Sequence, residues 1–510
     1  MKIYLDESPP ASGKTERKTM EIAQMPSKYL FITERIGRFD ELIYDIRRFA
    51  AAKGTKPLIR KVHSNPSKGG ISVGQKIAAL PSEYAKHSHV IVLATHAAML
   101  RSDFSGFNGW TIIVDEVPQF LDFEEKRTHL DAAFFKKYYH LEPLKDGWSS
   151  VRLSDIGKGL IAEDGEEGKG KALTAADVRA DESHKHLTVF HSRIIEASRE
   201  GSTRYVLCNL PDWDAMSGRE VSWGWASVFS LWELEPFDRV ELLGNRFRSD
   251  IGSILSETVT SQPIEWETLP PIEQKLEFMH RSVHIHYFSE TRRSSKCSFE
   301  TEEGQAMLSN IGAYLSKELP KGASIWTAND PSSAKIKMTP KQAIVQGGLP
   351  EEQYLPPRQS GTNMHQDKNH AAMIYSAKPS THLISLLKML QVPVEKWAQS
   401  VEHEAVLQFM SRTSVRNRGN TSPVHMWVYD RDQALYLKEH FDGLRHVTAT
   451  MQWVEDGPEI PVQSKRGPKA AVRTAAEEAE YLSAKRRKDA ERNRRNRAKK
   501  KKVAKARDAA

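Results

Sequence analysis

Residues 2–15 read KIYLDESPPASGKT. An apolar run leads into a tight loop of small residues, and a helix is expected to begin at Thr15. Backbone N–H groups of such a loop, together with the helix dipole, favour an anion at this point. The stretch therefore predicts a strand, a phosphate-binding loop and a helix, with the loop formed by Pro10, Ala11, Ser12, Gly13, Lys14 and Thr15.

Two side chains of this loop have expected roles toward a nucleoside triphosphate. Lys14 can reach the β- and γ-phosphates, and the Thr15 hydroxyl can ligate Mg²⁺. The common pattern has a glycine six residues before the lysine, where this chain has Ser8. The leading hypothesis is a protein that binds and hydrolyses a nucleoside triphosphate, and the alternative is a surface turn at the start of a helix.

A second stretch, residues 110–118, reads WTIIVDEVP. An apolar strand that ends in two acids places the first acid, Asp115, beside a metal held by Thr15. The next acid, Glu116, can orient or deprotonate the attacking water. The stretch follows the loop by about one hundred residues with further strands between them. The two stretches together favour a nucleotide site.

A third stretch, residues 408–416, reads QFMSRTSVR. Gln408, Arg412 and Arg416 are spaced four residues apart, so in a helix they would lie along one face. Two arginines on one face can reach a γ-phosphate from across a cleft, which is the arginine-finger role. The alternative is a solvated basic end of a helix.

These three stretches, in this order and spacing, resemble motifs I, II and VI of superfamily 2 helicases. Ala11 stands where motif I has its first glycine, and motif II reads DEVP rather than the DEAD or DExH form. In motif VI, Ser411 and Ser414 replace glycines, and Arg416 falls one residue late. The divergence is similar to that of viral or phage-encoded members of the family.

Weaker resemblances fall where the family contacts nucleic acid. Arg35 stands in a segment that looks like motif Ia, after the second predicted strand. Thr95 and His96 look like the Thr-His element of the family, a nucleic-acid-contacting loop. Segments 229–231 and 360–363 stand at the positions of motifs III and V.

The resemblance implies an α/β protein with two RecA-like P-loop domains in tandem and ATP in the cleft between them. It assigns Lys14 and Thr15 to the phosphates, and Thr15 with Asp115 to Mg²⁺. It assigns catalytic roles to Glu116, Gln408, Arg412 and Arg416. Single-stranded nucleic acid would cross both domains, and hydrolysis would alternately close and open the cleft.

The pattern of apolar runs and amphipathic stretches predicts two mostly parallel sheets, each covered by helices on both faces. We expect the first domain at residues 1–260 and the second at 272–455, joined by a linker at 261–271 that contains three prolines. The polar, glycine-rich segment at 155–186 is expected to be a mobile insertion or lid.

The net charge of +8 is concentrated in a tail, residues 456–510, which is expected to be disordered. From residue 464 onward there are 18 basic and 6 acidic residues, a charge of +12, which leaves −4 for the remainder. Lys465, Arg466 and Lys469 resemble the core of a DNA minor-groove hook with glycine and proline exchanged. The tail therefore favours nucleic-acid binding, with DNA preferred over RNA, and the alternative is a solubilising or localising tail.

The cysteine content, the apolar runs and the N-terminal sequence indicate the cellular compartment of the protein. Its 2 cysteines, Cys208 and Cys297, predict no disulfide framework, so a reducing compartment fits. No run approaches the roughly 18–20 apolar residues of a membrane span, and no secretory pattern is present. We expect a cytoplasmic protein of a bacterial or phage-infected cell, with replication proteins as candidate partners.

Two rival functions stay open. A terminase-like packaging ATPase would share the first two motifs and add a nuclease domain with clustered acids. An ATP-switched replication or loading protein would bind DNA without unwinding it, and the departures at Ser8 and Ala11 keep that reading open.

Overall fold

The computed structural model describes residues 1–8, 12–63, 72–129, 131–162, 164–210, 213, 220–244, 247–260, 262–270, 278–290, 294–330, 338–357 and 364–460. Residues Met1–Pro461 form one compact unit. Several predicted features lie outside the described residues: Pro10, Ala11, the segment 360–363, and Lys465, Arg466 and Lys469 in the tail. Among the described helices, none is both long enough and apolar enough to cross a bilayer.

The chain first alternates strands with helices, as predicted. Its elements are β1 (Lys2–Asp6), α1 (Lys14–Gln24), β2 (Lys28–Thr33), α2 (Phe39–Lys53), β3 (Leu58–Lys61), α3 (Val73–Glu83), β4 (Val90–Thr95), α4 (His96–Met99) and β5 (Trp110–Asp115). The strands are short apolar runs, and β2 and β4 are buried along almost their whole length. Strands buried on both faces are typical of a parallel sheet covered by helices.

The chain then leaves this layer to build a separate antiparallel sheet, here called the inserted sheet. Its elements are β6 (Leu121–His129), α5 (Ala132–Tyr138), β7 (Tyr139–Pro143), β8 (Ser149–Leu153), α6 (Ala175–Ala180), α7 (Thr188–Ala197), β9 (Tyr205–Cys208) and β10 (Glu220–Val228). The strand order is β6-β10-β9-β8-β7, and every pair in it is antiparallel.

The inserted sheet corrects one sequence-based expectation, and the mobility of the segment at 155–186 stays a prediction. The parallel pattern does not continue through residues 121–228, because these strands pair antiparallel around a core that holds Trp223 and Trp225. The polar segment at 155–186 is a connection within that sheet, and it contains α6 with a capping box at Thr174. Hydrogen bonding of that segment to itself explains how so polar a stretch takes a defined path.

The chain returns to the first layer through β11 (Arg239–Leu243), α8 (Ile251–Thr260) and β12 (Glu265–Thr268). The first sheet has the order β12-β1-β11-β5-β2-β4-β3, and all its pairs are parallel. The expectation of a linker at 261–271 is wrong, since β12 lies within it and pairs with β1. Prolines at its two ends are compatible with a short edge strand.

A second parallel sheet follows. Its elements are β13 (Arg281–Ser289), α9 (Lys296–Phe299), α10 (Glu302–Glu318), β14 (Ser324–Ala328), α11 (Pro340–Gln346), β15 (His370–Ile374), α12 (Thr381–Met389), α13 (Val394–Trp397), α14 (Glu404–Met410), β16 (Val424–Asp430), α15 (Arg431–Asp442) and β17 (Val447–Trp453). A π-helical segment, Ala398–His403, joins α13 to α14.

The order of this second sheet is β14-β15-β16-β13-β17, with every pair parallel. Buried clusters cover both of its faces, one built with α14 and α15 and the other with α10 and α11. The predicted fold class, two RecA-like α/β domains in tandem, is confirmed. The first domain here means the first sheet with its helices, and the second domain means the second sheet with its helices.

One hydrophobic core belongs to the inserted sheet and to the second domain at once. Four leucines of α12 and its end are buried in it, namely Leu383, Leu386, Leu387 and Leu390. They pack with Trp148, Leu207, Ala226 and Val228 of the inserted sheet and with Leu255 of α8. Trp148 Nε1 also donates to Ser385 Oγ at 3.2 Å, and Asn209 Nδ2 lies 2.6 Å from His382 Nδ1. The two domains are therefore joined by packing as well as by the chain.

Four histidines stack on one face of the second sheet. His425 lies between His284 and His370 on neighbouring strands, with ring centroids 4.9 and 5.2 Å away. Nε2 of His286 lies 3.3 Å from Nδ1 of His425. Burial, followed by the charge of the neighbouring histidines, lowers the pKa of His286 to about 4. His286 is therefore neutral at physiological pH.

We expect Leu386→Ala to lower the free energy of unfolding by about 2–5 kcal/mol, because the side chain is fully buried in the shared core. Urea denaturation measures the loss. The control is Ile384→Ala on the same helix, whose side chain is 42% exposed and should change stability little. Equal losses in the two variants would show that α12 is not held by this core.

We expect the contribution of His286 to stability to fall as the pH is lowered from neutral toward about 4, whereas the raised pKa values of Asp115 and Asp250 act in the opposite direction over part of this range. The unfolded chain takes up a proton near the ordinary histidine pKa of 6.5, whereas folded His286 stays neutral until about 4. His286→Phe keeps a ring in the stack and removes this titration, so its unfolding free energy should depend less on pH. Urea unfolding across that range, with the same pH slope in both proteins, would contradict the prediction.

Candidate nucleotide site

The predicted phosphate loop ends at Gly13, which precedes the first residue of α1. Gly13 has a φ of 92°, in the left-handed region that a residue with a side chain adopts only at a cost. The turn places Lys14 and Thr15 at the amino end of the helix, where the helix dipole is positive. The Lys14 ammonium donates a hydrogen bond to the carbonyl oxygen of Ser8. Burial lowers the pKa of Lys14, and the acids Asp6 and Asp115 oppose that shift.

Thr15 and Asp115 meet as the sequence predicted. The Thr15 hydroxyl lies 3.1 and 3.0 Å from the two carboxylate oxygens of Asp115. They meet because β1 and β5 are parallel neighbours of β11, so that their carboxyl ends share one edge of the sheet. Asp115 is only 3% exposed, and burial raises its pKa to about 6, helped by the adjacent charge of Glu116.

Glu116 follows β5 in a strained conformation. Its φ is 66°, a left-handed value that non-glycine residues rarely adopt. Its backbone N–H donates to the Leu243 carbonyl at 3.0 Å, which holds the turn to the end of β11. Strain of this kind is concentrated at functional sites because the surroundings must enforce it. Here the turn directs Glu116 toward the cavity described below.

Arg412 is a buried cation, and two of its nitrogen atoms have no hydrogen-bond partner among the described residues. Its side chain comes from the second domain and the residue is 2% exposed. Within the described part of the chain, Nε and Nη1 of Arg412 have no hydrogen-bond partner. Burial lowers the pKa of Arg412 to about 10, whereas the charge of Glu116 acts to raise it. A buried guanidinium with unpaired donors is costly unless an anion meets it.

Gln408 and Arg416 line the same cavity as Arg412, although they do not share one helix. The helix α14 ends at Met410, and Arg416 lies in a separate 3₁₀ turn, Ser414–Arg416. The predicted single helical face is therefore wrong, because the chain turns after α14. Gln408 Nε2 donates to Glu404 Oε1 at 2.9 Å, and Arg416 Nε donates to the Ser411 carbonyl at 2.6 Å.

These side chains surround one cavity of about 710 Å³ between the two domains. The volume lies in the usual range for a small-molecule site. Residues from the first domain that line it include Gly13, Lys14, Thr15, Glu34, Arg38, His96, Asp115 and Glu116. Residues from the second domain include Gln408, Arg412, Arg416, Arg418 and Tyr436. Residues from all three sequence stretches therefore line one cavity.

The predicted nucleic-acid residues of the first domain lie near this cavity. His96 is 8% exposed, and its Nε2 lies 2.9 Å from the backbone carbonyl of Asp115. Burial lowers the pKa of His96, so the ring is neutral and fixes the end of β5. Thr95 caps α4 by accepting from the Ala98 N–H at 3.3 Å, and Arg35 lies 3.9 Å from Glu34. Nucleic-acid contact by these three residues stays a prediction.

Two cavity residues carried no sequence signal that assigned them a role. Arg38, at the start of α2, places Nη1 3.2 Å from Asp115 Oδ2. Asp250 precedes α8, and burial raises its pKa to about 7. Arg38 stands three residues after Arg35, but the motif resemblance ends before it. Arg38 comes close to Asp115, and Asp250 to the second domain, only when the sheets have formed. The sequence alone therefore does not indicate their roles.

Comparison with known proteins finds only weak structural similarity. No family model matches the chain, and no curated protein sequence matches it. Among solved structures it is similar to a DEAD box protein from the hyperthermophile Methanococcus jannaschii, with 10% identity, 88% coverage of each chain and a TM-score of 0.24.

Two larger helicases also match. The Mycobacterium smegmatis helicase Lhr, bound to ssDNA and AMP-PNP, has 10% identity and a TM-score of 0.29, over 86% of this chain and 45% of Lhr. The DUF1998 helicase MrfA, bound to DNA and AMPPNP, has 12% identity and a TM-score of 0.29, over 88% of this chain and 50% of MrfA. The match spans about half the length of each. Similarity at these scores establishes neither family nor activity.

We expect Arg412→Met to stabilise the protein when no nucleotide is present, by about 1–3 kcal/mol in the free energy of unfolding. The gain follows because the variant removes a buried charge with unpaired donors. Urea denaturation without nucleotide measures it, with the exposed Arg47→Met as the matched control. A loss of stability in Arg412→Met would show that other groups already satisfy the guanidinium.

Proposed function

We propose that this protein is an ATPase that moves along single-stranded nucleic acid, a helicase or translocase, with DNA favoured over RNA. The observation that supports it is the single cavity shared by Lys14, Thr15, Asp115 and Glu116 from one domain and Gln408, Arg412 and Arg416 from the other. A site divided between two domains responds to nucleotide by a change in their arrangement.

The amino end of α1 suits the phosphate chain. Gly13 allows the backbone to turn toward the ligand, and Lys14 supplies a positive charge at the same point. Thr15 and Asp115 present a hydroxyl and a carboxylate side by side, which are the oxygen donors that Mg²⁺ prefers. When bound there, Mg²⁺ would neutralise charge on the β- and γ-phosphates.

Glu116 and the arginines suit the hydrolytic step. Glu116 follows the metal-facing Asp115 directly and lines the cavity, so it is placed to orient or deprotonate a water molecule. Arg412 offers unpaired donors to an anion, and Arg416 lines the same cavity. Arginines supplied to a transferring phosphoryl group accelerate hydrolysis by about 10³–10⁵.

The nucleic-acid part of the proposal rests on the resemblance and on charge. By the resemblance, Thr95, His96 and Arg35 stand where superfamily 2 helicases contact the strand, and residues 464–510 of the tail carry a charge of +12. Lys465, Arg466 and Lys469 of the tail are the proposed phosphate contacts, and their likeness to a minor-groove hook favours DNA. Replication proteins are the proposed partners.

We expect ATP hydrolysis by the purified protein to rise when a single-stranded polymer is added, more with DNA than with RNA. Lys14→Ala should lose the activity because it removes the phosphate-binding ammonium. Arg412→Ala should lower kcat by about a thousandfold. Phosphate release, measured with and without each polymer, tests both variants beside the exposed Arg47→Ala control.

The second candidate is a protein that binds DNA and uses ATP as a switch without moving. The shared core between α12 and the inserted sheet favours it, because full separation of the domains would expose that core. Nucleotide binding without turnover on either polymer would overturn the motor and support the switch. A Glu116→Gln variant that binds ATP but loses the wild-type turnover would argue against the switch. Nuclease activity would instead support a packaging ATPase.

A further inference from the structure

Arg38 lies at the junction between β2 and α2, outside every sequence motif. Its side chain is 16% exposed, and Nη1 lies 3.2 Å from Oδ2 of Asp115. Nε of the same guanidinium is buried and has no hydrogen-bond partner in the described part of the chain. Its neighbour on the helix, Glu41, is 3.8 Å from that Nε and 52% exposed, so it is a weak partner.

Asp115 is the other half of this contact. Its buried carboxylate accepts from Thr15 Oγ1 and from Arg38, which lies within ion-pair distance of it, and the charge of Lys14 also acts on it. A buried carboxylate that loses its cation is destabilised, because its desolvation is then uncompensated. Arg38 therefore compensates the charge of Asp115 by direct contact, in addition to the effect of Lys14.

The same Asp115 carboxylate is the proposed metal ligand, so Arg38 and Mg²⁺ would compete for it. Mg²⁺ demands near-octahedral oxygen coordination at about 2.0–2.1 Å. A guanidinium hydrogen-bonded to one oxygen of Asp115 competes with that coordination. Binding of the metal at this point thus requires the Arg38 contact to weaken or break.

A nucleotide bound in the cavity would offer Arg38 another anion. Arg38 lines this cavity together with Lys14, Arg412 and Arg416; burial lowers the pKa of Arg416, and the positive charge of Arg38 across the cleft acts in the same direction. Cations from both domains repel one another when they approach, unless an anion lies between them. The phosphate chain of a nucleotide is such an anion, and a planar guanidinium pairs well with phosphate oxygens.

We propose that Arg38 is a positioning residue that holds Asp115 while the site has no metal, and that moves from Asp115 to the phosphates when the metal and nucleotide bind. This inference rests on the proposed function, because it needs a nucleotide in this cavity. It adds a third arginine to the site, supplied by the same domain as the phosphate loop.

The exchange predicts two effects with opposite signs in Arg38→Ala. The magnesium concentration needed for half-maximal nucleotide binding should fall, because nothing competes for Asp115. Nucleotide affinity at saturating magnesium should also fall, by about tenfold, because one charge-assisted contact to phosphate is lost. The full-length protein is titrated with a fluorescent ATP analogue over a series of magnesium concentrations, and no turnover is required.

Arg38→Lys and Arg47→Ala are tested beside it. The lysine keeps the charge without the paired donors, so it should shift both quantities in the same directions by less, and it serves if the alanine variant does not fold. Arg47 is exposed on α2, the helix that follows Arg38, and its replacement should leave both quantities at wild-type values.

The outcomes separate this inference from the proposed function. Wild-type binding that Lys14→Ala abolishes, with an unchanged magnesium midpoint in both Arg38 variants, would overturn the exchange and leave the nucleotide site intact. Lower affinity with an unchanged midpoint would also overturn it, since Arg38 would then contact phosphate without releasing Asp115. No nucleotide binding by the wild type would overturn both.

Discussion

The hydrogen bonds between Thr15 and Asp115 tie the phosphate loop to the end of β5, and the site is built outward from this contact. They join residues far apart in sequence because parallel strands end at one edge of the sheet. The neutral ring of His96 holds the Asp115 carbonyl, and Leu243 holds the next N–H. The backbone at the end of β5 is therefore held by α4 and β11, while Thr15 and Arg38 hold the buried carboxylate.

The same strand end is also where the inserted sheet begins. Only the segment 116–120 separates Asp115 from β6, and the Phe229 N–H donates to the Phe120 carbonyl at 2.9 Å where the insertion returns. The inserted sheet in turn shares a core with α12 of the second domain. A movement of Glu116 can therefore be transmitted along a short stretch of chain to the inserted sheet, which packs against the second domain. Complete separation of the domains would cost the burial of several leucines, so rotation about this core is the less costly motion.

Charge organises the cavity between the domains. Lys14 and Arg38 face it from one side and Arg412 and Arg416 from the other, with Asp115 and Glu116 between them. The acids only partly compensate the cations, as the unpaired donors of Arg412 show. Because positive charges in this cavity lack full compensation among the described residues, a multiply charged anion would stabilise it. That property distinguishes a ligand site from a structural ion-pair network, in which each buried charge already has its partner.

The sequence by itself determined the helix that begins after Gly13, the strand that ends in Asp115, and the presence of arginines late in the second domain. These are local features, in which the order of apolar, small and charged residues dictates strand, turn and helix. It also predicted two parallel sheets, because buried strands and amphipathic helices leave that pattern. It did not reveal β12, which is short and flanked by prolines, or the inserted sheet, whose strands pair across long separations. Only the tertiary structure decided that Gln408 and Arg416 reach one cavity from different elements, that α12 packs on the insertion, and that Arg38 meets Asp115. Each of these depends on which distant surfaces come together, and no local periodicity encodes that choice.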